Sequence, residues 1–144
     1  MKKVAIVSAA LLALAACANT NETAAPGTDR TVVIQMRDNH FEPDRVDVVR
    51  GETISFRFTN VGRARHDAFI GDADAQMEHE EEARMADDEE GHGGGHEPAE
   101  NAITVEPGKT GRLTYTFDVR GETLIGCHEP GHYDSGMVVK VTVE

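Results

Sequence analysis

The sequence predicts an all-β fold, a sandwich of two antiparallel sheets built from seven or eight short strands without a core helix. Three observations predict it. Short runs rich in β-branched and aromatic residues recur from residue 31 onward, turn residues separate them, and several runs alternate apolar and polar side chains with the period of two of a half-buried strand. At 144 residues the chain is long enough for one such domain with a single core.

The predicted strands follow one another along most of the chain. Alternation is clearest where Ile54, Phe56 and Phe58 share one face, and it recurs between Leu113 and Phe117. Glycine-containing pairs or quartets at 51–52, 106–109 and 121–122 supply turns. The strand-like runs are 31–36, 46–48, 53–59, 66–70, 103–105, 112–119, 123–126 and 137–143.

The first residues have the order of an export signal, in which Lys2 and Lys3 precede an apolar run and then small residues up to Cys17. The apolar run is shorter than the ~20 residues that a membrane-spanning helix needs. Residues 14–17, Leu-Ala-Ala-Cys, resemble a bacterial lipobox, which predicts cleavage before Cys17 and a lipid on that cysteine. The alternative is an ordinary signal peptide cut slightly later. Either way we expect an exported protein.

The lipobox interpretation places the protein on a membrane facing the periplasm or the cell exterior, held by the lipid alone. Residues 18–30 are small and polar with Pro26-Gly27 among them, which predicts a flexible tether before a domain at 31–144. The chain has two cysteines, so a lipidated Cys17 leaves Cys127 without a disulfide partner. A free thiol is unlikely to persist outside the cytoplasm, so Cys127 is either buried or a ligand.

The formal net charge is −12. It excludes nucleic acid as a natural partner, because binding a phosphate backbone requires a basic footprint. We therefore expect partners with basic surfaces, or cations. The protein is also predicted to be a monomer.

Three potential metal ligands lie five residues apart near the end of the chain, at Cys127, His132 and Met137. Each one alone has a structural explanation, as a buried thiol, a hydrogen-bonded ring or core filler. Together they offer a thiolate, an imidazole and a thioether, ligands that suit copper rather than magnesium, calcium or manganese. With one more histidine the set would form a mononuclear copper site.

The pattern CxxPGHxxxGM at residues 127–137 resembles the ligand loop of the cupredoxins, the plastocyanin and azurin type of blue copper protein. The resemblance implies a Greek-key sandwich holding one type 1 copper, with His66 as the first histidine ligand. A one-electron carrier is the function it implies. Upstream matches extend over most of the predicted domain, at Phe41-Glu42-Pro43, Val46, Val48, Gly51, Thr53, Phe56, Phe58, Asn60, Pro107-Gly108, Leu113, Tyr115 and Phe117.

An alternative function is copper sequestration, tolerance or delivery, since the chain is also similar to periplasmic cupredoxins associated with copper tolerance. The partner is then a copper-handling protein rather than a redox protein, in either case with a basic surface. Enzymes of this fold need a second, catalytic copper site built from several histidines, which one small domain does not supply. We therefore expect no enzymatic activity.

An acidic insertion at residues 71–100 interrupts the strands and holds 12 of the 26 acidic residues. Its first part, 73–90, has a helix-favouring composition, and 91–96 is glycine-rich, so the whole is predicted to be mobile. Its imidazole and thioether groups suggest a second, weaker copper site, with a solvated charged loop as the equally weighted alternative. The candidate ligands there are Met77, His79, Met85, His92 and His96.

Two other histidines are predicted to lie at the surface. His40 precedes Phe41 in a turn, and His128 would point away from Cys127 if the backbone there is extended. Two departures from the family pattern leave the colour and potential of a copper site open. Asp67 follows His66 where a neutral residue is more usual, and residues 124–126 lack the common aromatic.

Overall fold

Nine strands and one helix make up the part of the chain that the structure, a computed structural model, describes, namely residues 28–88 and 99–144. The predicted signal segment with Cys17, most of the predicted tether, and His92 and His96 lie outside these residues. The elements are β1 (Arg30–Arg37), β2 (His40–Glu42), β3 (Arg45–Val48), β4 (Thr53–Asn60), β5 (His66–Gly71), α1 (Ala73–Asp88), β6 (Ala102–Val105), β7 (Thr110–Thr116), β8 (Gly121–Gly126) and β9 (Val138–Val143).

The strands form two sheets, one in the order β2-β1-β4-β7 and the other in the order β3-β9-β8-β5-β6. The predicted two-sheet, all-β sandwich is therefore confirmed. The sheets are mixed, however, because β1 pairs with β4, and β3 with β9, in parallel. The chain leaves the first sheet to form β3 in the second sheet, and it returns as β4, which runs in the same direction as β1. The alternation of side chains along a strand is the same for either strand direction, so the sequence could not predict the parallel pairs.

One of the nine strands, β2, was absent from the sequence prediction because three residues are too few to show alternation. It pairs antiparallel with β1, where Met36 lies opposite Phe41. The domain also begins slightly before residue 31. The amide of Asp29 donates to the Thr53 carbonyl at 2.8 Å, and its carboxylate accepts the Thr53 amide at 2.7 Å.

Aromatic side chains from β4 and from the segment after β7 fill the core between the sheets. Ile54, Phe56 and Phe58 are fully buried, as their alternation predicts. The Phe56 ring lies 5.8 Å from Phe58 and 6.1 Å, edge to face, from Phe117, centroid to centroid. Such pairs add to the free energy gained by apolar burial, and the packed core gives a rigid base for the loops at its ends.

Helix α1 corrects the prediction of a mobile insertion for residues 73–88. It packs against β5 and β8, and it buries polar side chains, with Gln76 fully inaccessible and Glu80 8% exposed. Asp72 caps its first turn by accepting the Ala75 amide at 2.9 Å. No helix among the described residues is long and apolar enough to cross a membrane.

Candidate metal centre

Three of the four predicted ligands meet at one end of the sandwich. His66 opens β5, Cys127 directly follows β8, and His132 lies in the loop between β8 and β9. The Cys127 sulfur is 3.8 Å from Nδ1 of His66 and 3.4 Å from Nδ1 of His132, and the candidate ligand atoms of the three residues lie within 4.8 Å of one another. His66 and Cys127 are fully buried.

The fourth predicted ligand, Met137, is fully buried and directly precedes the last strand. Its carbonyl accepts the Cys127 amide at 3.1 Å, and its amide donates to the His132 carbonyl at 3.0 Å. These two hydrogen bonds fold the loop back on itself and fasten its three candidate ligands to each other. The reversals need glycine, because Gly131 and Gly136 have φ values of 78° and 85°.

The buried groups are arranged to be neutral without a metal. Burial raises the pKa of the Cys127 thiol, and the carboxylate of Asp67 adds to this shift. Burial lowers the pKa of His66, with a smaller contribution from the neighbouring His132. A metal about 2.0–2.3 Å from each of three trigonal donors would set them about 3.5–4 Å apart, which fits the measured sulfur-to-nitrogen distances. The donor set therefore suits one transition-metal ion.

Asn60, which is 1% exposed, holds the loop that leads into His66. Its Nδ2 donates to the carbonyls of Ala64 and Val105, both at 2.8 Å, and its Oδ1 accepts the Gly62 amide at 2.9 Å. The sequence marked Asn60 only as a family match and gave it no role. The structure places it as the hydrogen-bonding centre of the loop before the first candidate ligand.

His128 is a correction, since it is 5% exposed and not at the surface. Its Nδ1 lies 2.7 Å from Oε2 of Glu80 and its Nε2 lies 2.7 Å from Oε1 of Gln76. Its backbone amide donates to the Asp67 carboxylate at 2.6 Å. The prediction failed because α1, taken to be mobile, covers this side of the loop. A buried histidine facing two helix side chains has no signature in the local sequence.

Of the candidates for a second metal site, the structure describes Met77, His79 and Met85, and His79 belongs to no His, Cys, Asp or Glu cluster with metal-binding spacing among the described residues. Met77 and Met85 are 62% and 61% exposed. His79 is partly buried and stacks on Phe69 with ring centroids 4.1 Å apart. Within residues 28–88 and 99–144, the only His, Cys, Asp or Glu cluster with metal-binding spacing is that of His66, Cys127 and His132.

His40 is exposed as expected, with its Nδ1 3.3 Å from Oδ1 of Asn39.

Comparison with known families agrees with the fold. The family described as Cupredoxin-like domain matches residues 5–89, more than half of the chain. The chain belongs to the cupredoxin family.

Two similar proteins are both named copper-resistant cuproprotein CopI. The one from Pseudomonas aeruginosa is 32% identical over 139 residues, covering 80% of this chain and 76% of the relative. The one from Rubrivivax gelatinosus is 34% identical over 115 residues, covering 79% of this chain and 66% of the relative. Among solved structures, the dithionite-reduced auracyanin of Roseiflexus castenholzii superposes with a TM-score of 0.66 at 25% identity, over 82% of this chain and 99% of that one.

Replacing Asn60 by alanine should destabilise the fold and loosen His66. The change removes the donor to the Ala64 and Val105 carbonyls and one of the two acceptors of the Gly62 amide. An unsatisfied buried group costs about 1–3 kcal/mol. We expect the free energy of unfolding to fall by roughly 2–4 kcal/mol in urea titrations. Asn39→Ala, at an exposed position, is the control, and equal stabilities of the two variants would contradict the assignment.

Proposed function

We propose that this cupredoxin binds one copper ion through His66, Cys127, His132 and Met137. The observation that supports it most directly is the approach of three donor atoms, one sulfur and two imidazole nitrogens, at the buried end of the sandwich. Two imidazoles and a thiolate with a weak thioether form the donor set of type 1 copper. Bound copper would supply a centre that exchanges one electron between Cu(I) and Cu(II), while the buried surroundings limit access of water.

We infer that its physiological role is copper resistance, through sequestration or delivery of the metal outside the cytoplasm. Both relatives described above carry that role in their names. The signal-like residues 1–17 support export, with a lipid on Cys17 as anchor. The acidic surface suits a copper-handling partner with a basic face. This is a binding function, with no substrate turned over.

Copper titration of the full-length protein tests the ligand assignment. The wild-type chain should bind one tight equivalent of Cu(II) and show an intense visible band from thiolate-to-copper charge transfer. Cys127→Ser should lose that band, whereas Cys17→Ser should retain it. Visible absorption and EPR measure both. A wild-type protein without the band, or a Cys127→Ser protein that keeps it, would remove the proposed site.

Copper affinity should rise with pH because copper must displace the proton of Cys127. Burial raises the pKa of this thiol, so the metal-free protein keeps the proton through the neutral range. The lowered pKa of His66 means that its ring is already neutral near pH 7 and contributes no further proton. We expect the apparent affinity to increase about tenfold per pH unit between about pH 7 and 8.5.

Competition with a chelator of known pH dependence measures this slope. The matched control is Cys127→Ser, which has no thiol proton to release and should show a clearly smaller slope. An identical slope in both proteins would mean that copper does not bind the thiolate.

A one-electron carrier is the second candidate function. Its support is that the donors are already assembled and fastened by the loop hydrogen bonds, so a change of copper charge requires little rearrangement. The auracyanin that resembles the chain was solved in a dithionite-reduced state. Asp67, close to Cys127, would favour the more positive Cu(II) state and so lower the potential.

Two measurements separate the two roles. If the role is resistance, wild-type protein should restore growth of a copper-sensitive strain on copper medium and Cys127→Ser should not. If the role is electron transfer, the copper-loaded protein should exchange electrons with a basic cytochrome in stopped flow far faster than free copper does. Exchange no faster than with free copper would exclude the carrier role, and growth unaffected by Cys127→Ser would exclude the resistance role.

A further inference from the structure

Helix α1 presents a stripe of polar side chains to the ligand loop. Gln76, Glu80 and Arg84 are spaced four residues apart and therefore lie on one face of the helix. Gln76 is fully buried and Glu80 nearly so, although amphipathic helices usually bury apolar residues. Burying such groups is unfavourable unless each finds a hydrogen-bond partner, so the stripe must be matched by polar groups opposite.

Gln76 is held in one orientation by backbone carbonyls. Its Nε2 donates to the carbonyl of Phe69 at 3.0 Å and to that of Leu124 at 3.0 Å, which joins α1 to both β5 and β8. Because the amide nitrogen is committed to these carbonyls, the amide oxygen must face His128. The Gln76 side chain therefore acts as a fixed acceptor for Nε2 of that ring.

Glu80 holds the opposite side of the same ring. Its Oε2 lies 2.7 Å from Nδ1 of His128, so an oxygen acceptor faces each ring nitrogen. The ring also stacks on Tyr133, with centroids 4.6 Å apart and an interplanar angle of 20°.

Arg84 extends the contact to a further point of the loop. It lies 3.1 Å from Oε1 of Glu80 and 2.8 Å from Oδ2 of Asp134. The helix thus contacts the loop at His128, which follows Cys127. It also contacts Asp134 through Arg84, and the His128 ring in turn stacks on Tyr133. Tyr133 and Asp134 are the two residues that follow His132.

Gly126 leaves the space that these contacts occupy. A β-carbon there would collide with Oε1 of Gln76 and would come within 2.9 Å of the Tyr133 ring and 3.0 Å of Nε2 of His128. The Gln76 side chain of α1 therefore occupies the space that a side chain at position 126, directly before Cys127, would need.

We propose that Gln76 and Glu80 are positioning residues of the metal centre, which act through His128 to fix the backbone at Cys127. Both residues bind the ring of His128, which directly follows Cys127. The consequence for copper rests on the proposed function, whereas the restraint on the loop does not, and the two can be measured separately.

Thiol alkylation of the metal-free, full-length protein tests the restraint. In a Cys17→Ser background Cys127 is the sole thiol, and it reacts only when the loop opens. The carboxylate of Glu80 offers one oxygen to His128 and the other to Arg84. The amide in Glu80→Gln has a single oxygen, so one of these contacts is lost and alkylation of Cys127 should be roughly tenfold faster or more. Gln76→Ala should act similarly, from the other side of the ring. Glu81→Gln, an exposed change of the same charge on the same helix, should leave the rate within about twofold.

A structural control separates local restraint from general stability. The control is Val46→Ala, a substitution in β3, at the far edge of the sheet from α1. Alkylation of the two variants is compared at denaturant concentrations at which their free energies of unfolding are equal. If Glu80→Gln alkylates no faster than this matched control, the residue is merely structural and the proposal fails. If Glu80→Gln does not fold, the alkylation rate of Gln76→Ala is compared with that of Val46→Ala in the same way.

The spectrum of the copper-loaded protein gives the second result. Glu80→Gln should shift the thiolate-to-copper band and the copper hyperfine splitting in EPR, and Glu81→Gln should not. An unchanged spectrum in Glu80→Gln would overturn the effect on the metal centre. A wild-type protein that binds no copper would refute the proposed function instead, while the alkylation rates would still decide the role of α1.

Discussion

The constraint on which the rest of this structure depends is the burial of a thiol and an imidazole, beside a second, partly buried imidazole, at the end of an apolar core. Polar groups placed there lose their hydration, and only a fixed set of partners or a metal ion can offset the loss. The chain meets the constraint with a polar shell around the donors. Asn60 fixes the approach to His66, and Asp67 fixes the amide after Cys127.

Much of this fold follows from period-two alternation and turn residues. These features predict two packed sheets, and the spacing of Cys127, His132 and Met137 predicts a common site. His66 came only from family resemblance, since it lies 61 residues before Cys127 and no local pattern links them. Strand direction was not predictable because it does not change which side chains are buried, and β2 was not predictable because three residues are too few to show alternation.

Helix α1 shows why the remainder of the site could not be predicted. Hydrophobic periodicity identifies helices that pack through apolar faces. In α1 the packed face consists of the polar residues Gln76 and Glu80. In the sequence such residues indicate a solvated surface, but in the fold they are buried. Only the structure shows that His128 lies opposite them. Acidic composition indicates a solvated surface, yet the Glu80 carboxylate is buried against the ring of His128.

The insertion that contains α1 is closed at its base. The Ile70 amide donates to the Asn101 carbonyl at 2.9 Å, and the Asn101 side chain donates to the Ile70 carbonyl at 2.7 Å. Both ends of the excursion are thus tied to the sandwich, and lengthening a closed loop costs only about 0.6 kcal/mol per doubling. An insertion closed in this way leaves the antiparallel pairing of β5 with β6 intact, and α1 is held at its base as well as through its buried face.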